Sequence, residues 1–265
     1  MTFRRQSLAN HSAQRGSVFL WKSRNLYLGP ALNTSIHVPY CVKVCVAIQG
    51  SFRLCSVAGK SASYRAAIIP SGMAHQLDGQ GSAVATLRLN PDTLEARRLI
   101  SSYSNNQIVS LSWDAVSSVH PRLRLYLDQG CSPDEADGLF SELISHLTSP
   151  GSRYLSFDSR IAVLLEYFQS VSLNHMTARE AAALTNLSPD RFMHLFREQV
   201  GLSFRRYQLG LRLRAALQEM RDEKSLTDLA HKVGFADAAH LTRTARLMLG
   251  HAPSSLFAHQ WWIEK

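Results

Sequence analysis

Long apolar runs and a disulfide framework are both missing from this chain of 265 residues. No apolar run approaches the ~18 residues that a membrane-spanning helix needs, so no membrane partner is expected. The four cysteines lack the regular spacing of a disulfide scaffold, which favours a reducing compartment and a cytoplasmic protein. The basic N-terminus is not followed directly by an apolar stretch, so we expect no secretory signal.

Acidic residues are scarce in the first part of the chain, and no glutamate occurs before residue 95. The whole chain carries 29 Lys and Arg against 20 Asp and Glu, a net charge of +9. This excess suits a polyanionic partner, since phosphate binding is driven largely by counterion release. The charge is spread along the chain, with net +5 in residues 1–170 and net +4 in residues 171–265. Motifs, and not composition, must therefore identify the partner.

Short strands and turns alternate between about residues 17 and 90. Over residues 41–48, Val and Ile side chains alternate with Cys, Lys and Ala, which is the period of a strand. A hairpin turn follows at residues 49–51, and further short apolar runs occupy residues 66–69 and 84–89. This pattern predicts a small β-barrel or sandwich.

Helical periodicity begins at about residue 90, where Asn90 is a candidate cap for the first helix. A helix over residues 134–148 offers a surface for a homodimer. The segment 149–152 (Ser-Pro-Gly-Ser) has the composition of a linker. We therefore expect two domains, residues 1–150 and residues 151–265, with six or seven helices and no strands after residue 157.

Two matching segments occupy the last part of the chain. Residues 182–201 and residues 229–250 each indicate a short helix, a tight turn and a second helix that ends at a glycine. Thr177 with Glu180, Ser188 with Pro189, and Ser225 mark helix starts. This is the helix-turn-helix layout, in which the second helix enters the major groove of DNA. Two copies on one chain can contact two successive turns of a duplex.

These residues resemble the DNA-binding domain of the AraC/XylS family of transcriptional regulators. The similarity rests on motif points in a fixed order, namely Asp158-Ser159-Arg160-Ile161, Leu187-Ser188-Pro189, Leu195-Phe196-Arg197, Gly201-Leu202-Ser203-Phe204, Tyr207, Arg212-Leu213-Arg214-Ala215-Ala216-Leu217, Val233-Gly234-Phe235-Ala236-Asp237, Leu241-Thr242-Arg243 and Pro253. The family usually carries an aromatic residue where this chain has Ala245. The second recognition helix is also rich in alanine, so part of its discrimination is expected to come from DNA shape.

The first part of the chain resembles the cupin-like sensor domain that precedes the DNA-binding domain in many such regulators. Residues 70–75 (Pro-Ser-Gly-Met-Ala-His) match the second cupin half-motif, whereas the first half-motif, with its paired histidines and glutamate, is absent. The resemblance implies an α+β chain: an N-terminal cupin-like β-barrel with flanking helices, and a C-terminal all-α domain with two helix-turn-helix motifs.

The motif positions predict which side chains approach DNA. Bases are read by side chains on the outer face of a recognition helix, and Arg243 is the strongest candidate because a guanidinium pairs bidentately with guanine. The two histidines can instead be ordinary solvated surface, and Arg212 and Arg214 can simply cover the helix that connects the two motifs. The predicted contacts are Asp190, Arg191, Met193 and His194 on the first helix, Ala239, His240 and Arg243 on the second, and Arg205, Arg206 and Lys232 at phosphates.

Histidines and cysteines of the barrel are the other candidates. His37 and His75 are predicted to contact an effector, with His75 at a turn or pocket edge. His37, Cys41 and Cys45 fall on one strand face, but residues four apart on a strand lie ~13 Å apart, too far to share one metal without cross-strand partners such as Cys55 or His75. The alternative is that the cysteines, including Cys55, are small core residues. We expect no metal, no cofactor and no catalytic residue.

The leading hypothesis is a sequence-specific transcriptional regulator, expected to be an activator and not an enzyme. Its partners are double-stranded promoter DNA, RNA polymerase and a small effector, with a homodimer as a further partner. Effector binding would shift the populations of DNA-competent and DNA-incompetent states. Two alternatives stay open: a cupin-type metal-binding enzyme or metal/thiol sensor with an appended DNA module, and a regulator whose barrel only dimerises.

Overall fold

A computed structural model describes residues 3–6, 16–103, 107–148, 156–170, 176–220, 223, 225–256 and 260–264. The strands are β1 Phe3–Gln6, β2 Ser17–Leu20, β3 Arg24–Pro30, β4 Val42–Gln49, β5 Phe52–Ser56, β6 Ser61–Tyr64, β7 Ala66–Ile69, β8 His75–Asp78, β9 Ala83–Leu89, β10 Val109–Ser110 and β11 Gln260–Glu264. The helices are α1 Leu94–Tyr103, α2 Asp114–Ser117, α3 His120–Gln129, α4 Pro133–Leu147, α5 Ser159–Ser170, α6 Ala178–Leu184, α7 Pro189–Val200, α8 Phe204–Glu219, α9 Leu226–Lys232, α10 Ala238–Leu249 and α11 Pro253–Leu256. None of these helices is long and apolar enough to span a bilayer.

Two sheets form the barrel of the N-terminal half. The larger sheet has eight strands in the order β1-β11-β2-β3-β9-β4-β7-β10, and the smaller has the order β6-β5-β8. Residues 41–48, whose side chains alternate, form β4, which pairs with β9 on one side and with β7 on the other. Its Val side chains pack on one face and its Cys side chains on the other, so the strand is buried on both sides. The predicted cupin-like barrel is confirmed.

Helices α1–α4 cover the outer face of the larger sheet. The apolar face of α4, which includes Phe140 and Leu143, is fully buried against this sheet. That face is therefore not available for the dimer contact suggested by the helix over residues 134–148. At the start of α1, Thr93 and not Asn90 is the cap, because the Thr93 hydroxyl accepts the Ala96 N–H. The backbone carbonyl of Asn90 instead accepts a hydrogen bond from the Thr93 hydroxyl.

The C-terminal part is helical, as expected, with seven described helices after residue 157. Thr177, Ser188 and Ser225 each accept a backbone N–H at a helix start, and Thr177 forms the predicted capping box with Glu180. The expectation of no strands was wrong, because β11 enters the barrel sheet parallel to β2. Trp261 is buried there, and the Trp262 ring stacks on Phe19. The predicted linker at residues 149–152 lies outside the described residues.

Among the described residues, three hydrophobic cores hold these layers together. The outer core lies between the larger sheet and α1–α4. A second core, formed by α5–α8, includes Phe192, Phe196 and Tyr207. The third core, which we call the shared core, joins the inner face of the barrel to α8, α9 and α10. The second helix-turn-helix segment is thus packed into the same core as the barrel.

Candidate nucleic-acid interface

Two helix-turn-helix units, α6–α7 and α9–α10, have the same turn geometry. We call them the first and the second unit. In the first unit the Leu187 N–H donates to the Ala182 carbonyl over 2.9 Å, and in the second the Phe235 N–H donates to the Ala230 carbonyl over 2.8 Å. Each turn contains one left-handed residue, Asn186 at φ 52° or Gly234 at φ 81°. These are residue types that tolerate this conformation, so the local sequence fixes each turn.

Caps set the start and the end of both recognition helices. Ser188 accepts the Arg191 N–H at the start of α7, and Asp237 accepts the His240 N–H at the start of α10. Gly201 and Gly250 end the helices in the left-handed conformation. The two helices therefore have matching lengths and correspond residue by residue.

The outer face of α7 presents every residue that was predicted to read bases there. All four of these side chains are exposed, and the opposite face, with Phe192 and Phe196, is buried. The apolar side chain of Met193 is 45% exposed. The exposed residues are Asp190, Arg191, Met193 and His194.

The outer face of α10 is simpler. Ala239 and Arg243 are exposed, and Arg243 occupies the position that His194 holds on α7. His240 is half-buried and its ring meets Phe235 edge-on, with centroids 5.1 Å apart. His240 therefore has less freedom to reach a base than Arg243.

Two further arginines share these faces and were missed from the sequence. Arg197 and Arg246 are exposed at equivalent positions in the last turns of α7 and α10. Each lies three residues after the central candidate, His194 or Arg243, and residues three apart share a helix face. Because this spacing of three residues can be read from the sequence, Arg197 and Arg246 could have been predicted as DNA contacts.

The predicted phosphate contacts differ in their surroundings. Arg205 is exposed and Arg206 is half-buried in the first turn of α8. Lys232 is exposed, but its ammonium donates to Glu223 over 2.5 Å and to Glu219 over 3.1 Å, and these hydrogen bonds raise its pKa. A phosphate would have to compete with two carboxylates for Lys232, which makes Arg205 the stronger candidate.

His37 and His75 meet inside the barrel, with ring centroids 4.3 Å apart. The Lys43 ammonium lies 3.2 Å from Nε2 of His37 and 2.9 Å from Nε2 of His75. Their Nδ1 atoms lie beside the carbonyls of Ser35 and Met73, which only accept, so Nδ1 carries the proton and Nε2 accepts from Lys43. Burial, and then the Lys43 charge, lower the pKa of His37 to about 3 and of His75 to about 2. Both imidazoles are neutral at physiological pH.

This cluster does not fit a metal ion. The third group facing the two imidazoles is an ammonium, which cannot be a ligand while it is protonated and repels a cation. Burial lowers the pKa of Lys43 only to about 8, so the charge persists at neutral pH. Within the described ranges, no group of three or more His, Cys, Asp or Glu side chains is placed to hold a metal. Cys41 and Cys45 are buried in the shared core.

Comparisons with known proteins agree with this geometry. The family model described as a helix-turn-helix domain matches residues 181–259, which include both recognition helices. ToxT from Vibrio cholerae O395 has the same fold over 90% of this chain and 98% of its own, with 13% identity and a TM-score of 0.57. A ToxT structure from strain SCE256 with bound unsaturated fatty acid matches over 89% of this chain and 96% of its own, with 14% identity and a TM-score of 0.56. No curated protein sequence matches the chain.

Paired helix-turn-helix units on a cupin-like barrel define a DNA-binding transcriptional regulator. The matched domain, which covers residues 181–259, is of the AraC type and is similar to the DNA-binding domain of AraC/XylS regulators. The alternative of a cupin-type enzyme is not favoured.

Proposed function

We propose that the chain binds promoter DNA with α7 and α10 in successive major grooves and activates transcription in the cytoplasm with RNA polymerase. The observation that carries this proposal is the correspondence of the two outer faces, each of which ends in an exposed arginine. Recognition helices in such motifs lie about one helical turn of DNA apart. A single chain would then read two half-sites without needing a dimer.

The contributions of the two helices should differ. The first presents Asp190, Arg191 and His194, three polar side chains that can contact base edges. The second has Ala239 at the position of Asp190, and depends on Arg243. We propose that α7 supplies most of the base specificity, whereas Arg197, Arg246, Arg205 and Arg206 hold phosphates and set the register.

Control by the barrel would act mainly through the second unit. The Val38 N–H donates to the Leu247 carbonyl over 2.6 Å, and the Ser35 N–H donates to the Gly250 carbonyl over 3.3 Å. These bonds attach the last turn of α10 to a barrel segment that also contains His37. A change in the barrel therefore moves α10 relative to α7, which has a separate core. A shift of this kind alters the spacing of the two helices that DNA requires.

A small molecule is the proposed signal. The similar ToxT structures include complexes with an unsaturated fatty acid and with a naphthalenyl butenoic acid, both of them carboxylic acids. His37 and His75 were predicted as effector contacts. The Lys43 ammonium already occupies the Nε2 atoms of both histidines. We therefore propose that His37 and His75 hold residues 34–38 in place against α10. The effector would then bind elsewhere.

Fluorescence anisotropy on the full chain tests the proposal. Bound genomic sites would first be mapped, and a labelled duplex from the strongest site would be titrated against a shuffled duplex. We expect the mapped duplex to bind at least ~10³-fold more tightly. Arg243→Ala should weaken the mapped duplex, whereas Arg124→Ala, an exposed arginine on α3, should not. Equal binding of the mapped and shuffled duplexes would exclude the proposed function.

A further inference from the structure

A cavity of about 300 Å³ lies where the barrel meets the helical part of the chain. The barrel side contributes residues 22–23 and the segment from Asn90 to Glu95 at the start of α1. The helical side contributes Phe168 of α5, and Tyr207, Leu211 and Arg214 of α8. We call this space the seam cavity. A second cavity of about 280 Å³ shares several of its barrel residues and extends to Trp21.

Three residues that line these two cavities contain a buried polar atom without a hydrogen-bond partner within the described part of the chain. These atoms are Nε of Arg214 and Oδ1 of Asp92 in the seam cavity, and Nε1 of Trp21 in its neighbour. Folded proteins pair almost all such atoms, because each unmade bond costs free energy. Three of them beside one pair of cavities indicate that a polar partner, either water or a ligand, completes these hydrogen bonds.

The Asp92 carboxylate is held in a fixed orientation. Its Oδ2 accepts the Tyr207 hydroxyl over 3.1 Å and the Gln169 amide over 3.3 Å, which leaves Oδ1 as the atom without a partner. Burial, and then the Asp92 charge, raise the pKa of Tyr207, so its hydroxyl stays protonated as the donor. This arrangement preorganises an acceptor for a donor group that the described residues do not supply.

We propose that the seam cavity binds a free α-amino acid with an apolar side chain, and that this amino acid is the effector of the proposed function, on which the inference rests. Its carboxylate pairs with Nε of Arg214, beside the positive charge of Lys22. Its ammonium donates to Oδ1 of Asp92. Its side chain lies against Phe168 and Leu211, the apolar part of the wall.

Size and polarity both favour this class over a long acyl chain. A volume of about 300 Å³ corresponds to about ten water molecules, enough for a ligand of about ten to thirteen non-hydrogen atoms. The wall carries both signs of charge, with Lys22 and Arg214 opposed by Asp92 and Glu95. An acyl chain would desolvate these groups without replacing their hydrogen bonds, whereas a zwitterion satisfies both signs.

Ligand binding can be measured directly on the full chain. Each of the common amino acids, at 10 mM, would be screened by thermal shift, and isothermal titration calorimetry would give the Kd of the best ligand. Its analogues without the ammonium or without the carboxylate, and oleate at 50 µM, would be titrated in parallel. Arg214→Gln and Asp92→Asn test the site, with Arg124→Gln and Asp128→Asn as exposed controls on α3.

We expect an apolar amino acid to raise the melting temperature, and its Kd to weaken at least tenfold in both site variants and with both analogues. The control variants should stay within twofold of the parent. Circular dichroism would confirm folding, and Arg214→Lys, which keeps the charge and loses Nε, serves if Arg214→Gln does not fold. No shift with any amino acid, or binding that both site variants leave unchanged, would overturn the assignment, as would oleate as the only ligand.

The proposed function is measured apart from this, on ligand-free protein with the mapped duplex. Specific DNA binding without an amino-acid site overturns only the inference about the seam cavity. An amino-acid site in a chain that does not distinguish the mapped duplex overturns the proposed function and leaves the site itself standing.

Discussion

Gly210→Ala is the most direct test of how the helical part packs on the barrel. Gly210 is a buried residue inside α8, and a Cβ added there would lie 2.5 Å from Cγ and Cδ2 of the Tyr40 ring. Tyr40 is itself only 4% exposed, so the ring cannot swing into solvent. Overpacking of this kind costs about 1–3 kcal/mol, offset by the ~1 kcal/mol that alanine gains over glycine in a helix. We expect a net loss of about 0–2 kcal/mol of unfolding free energy.

Gly138→Ala is the matched control for this variant. Gly138 is an exposed glycine inside α4, and an added Cβ there would meet no atom within 4 Å. It should therefore gain the full ~1 kcal/mol of helix propensity. The two variants should differ by about 1–3 kcal/mol in urea unfolding followed by circular dichroism. If Gly210→Ala stabilised the chain as much as Gly138→Ala, the close contact between α8 and Tyr40 would be refuted.

Three further predictions follow from the shared core, the buried histidines and the recognition helices. Trp261→Ala should lower the free energy of unfolding by about 3–5 kcal/mol and should lower the melting temperature of the barrel and the helices together, because Trp261 is buried in the shared core. Calorimetry in which only the helices melt at a lower temperature would contradict this prediction. Stability should fall as the pH drops below about 6.5, by about 1.4 kcal/mol per pH unit for each histidine, because His37 and His75 have lowered pKa values in the folded state and take up protons only on unfolding. In urea titrations at pH 4–7, His75→Gln should make the loss of stability with falling pH less steep. An unchanged pH dependence would contradict the role given to His75. Arg243→Ala should lose about 1–3 kcal/mol at one base position, measured by anisotropy on single-base variants of the mapped duplex, whereas an equal loss on all sequences would make Arg243 a phosphate contact.

Local patterns predicted the elements whose structure depends on nearby residues. The alternation around Val44 predicted β4, and the hydroxyls of Thr177, Ser188 and Ser225 predicted helix starts because each cap acts within three residues. The left-handed turn residues Asn186 and Gly234 have the same local origin. Most of the recognition-helix faces could therefore be predicted from the sequence.

Long-range contacts could not be predicted in this way. β11 has only five residues and pairs with a strand near the other end of the chain, so no local signal connects them. The position of Lys43 between His37 and His75 depends on how three separate barrel segments come together. The seam cavity likewise requires the start of α1 to meet α8, and the sequence left Arg214 either as a DNA contact or as a cover for its own helix.

The measurement that tests the central claim most directly is a missing-contact footprint of the full chain on its strongest mapped site. Binding by α7 and α10 predicts two protected major-groove segments about one helical turn apart. Arg243→Ala should abolish one base contact in the segment bound by α10, and His194→Ala should weaken a base contact in the segment bound by α7. One protected segment, or two that neither substitution changes, would contradict the assignment of both helices to DNA.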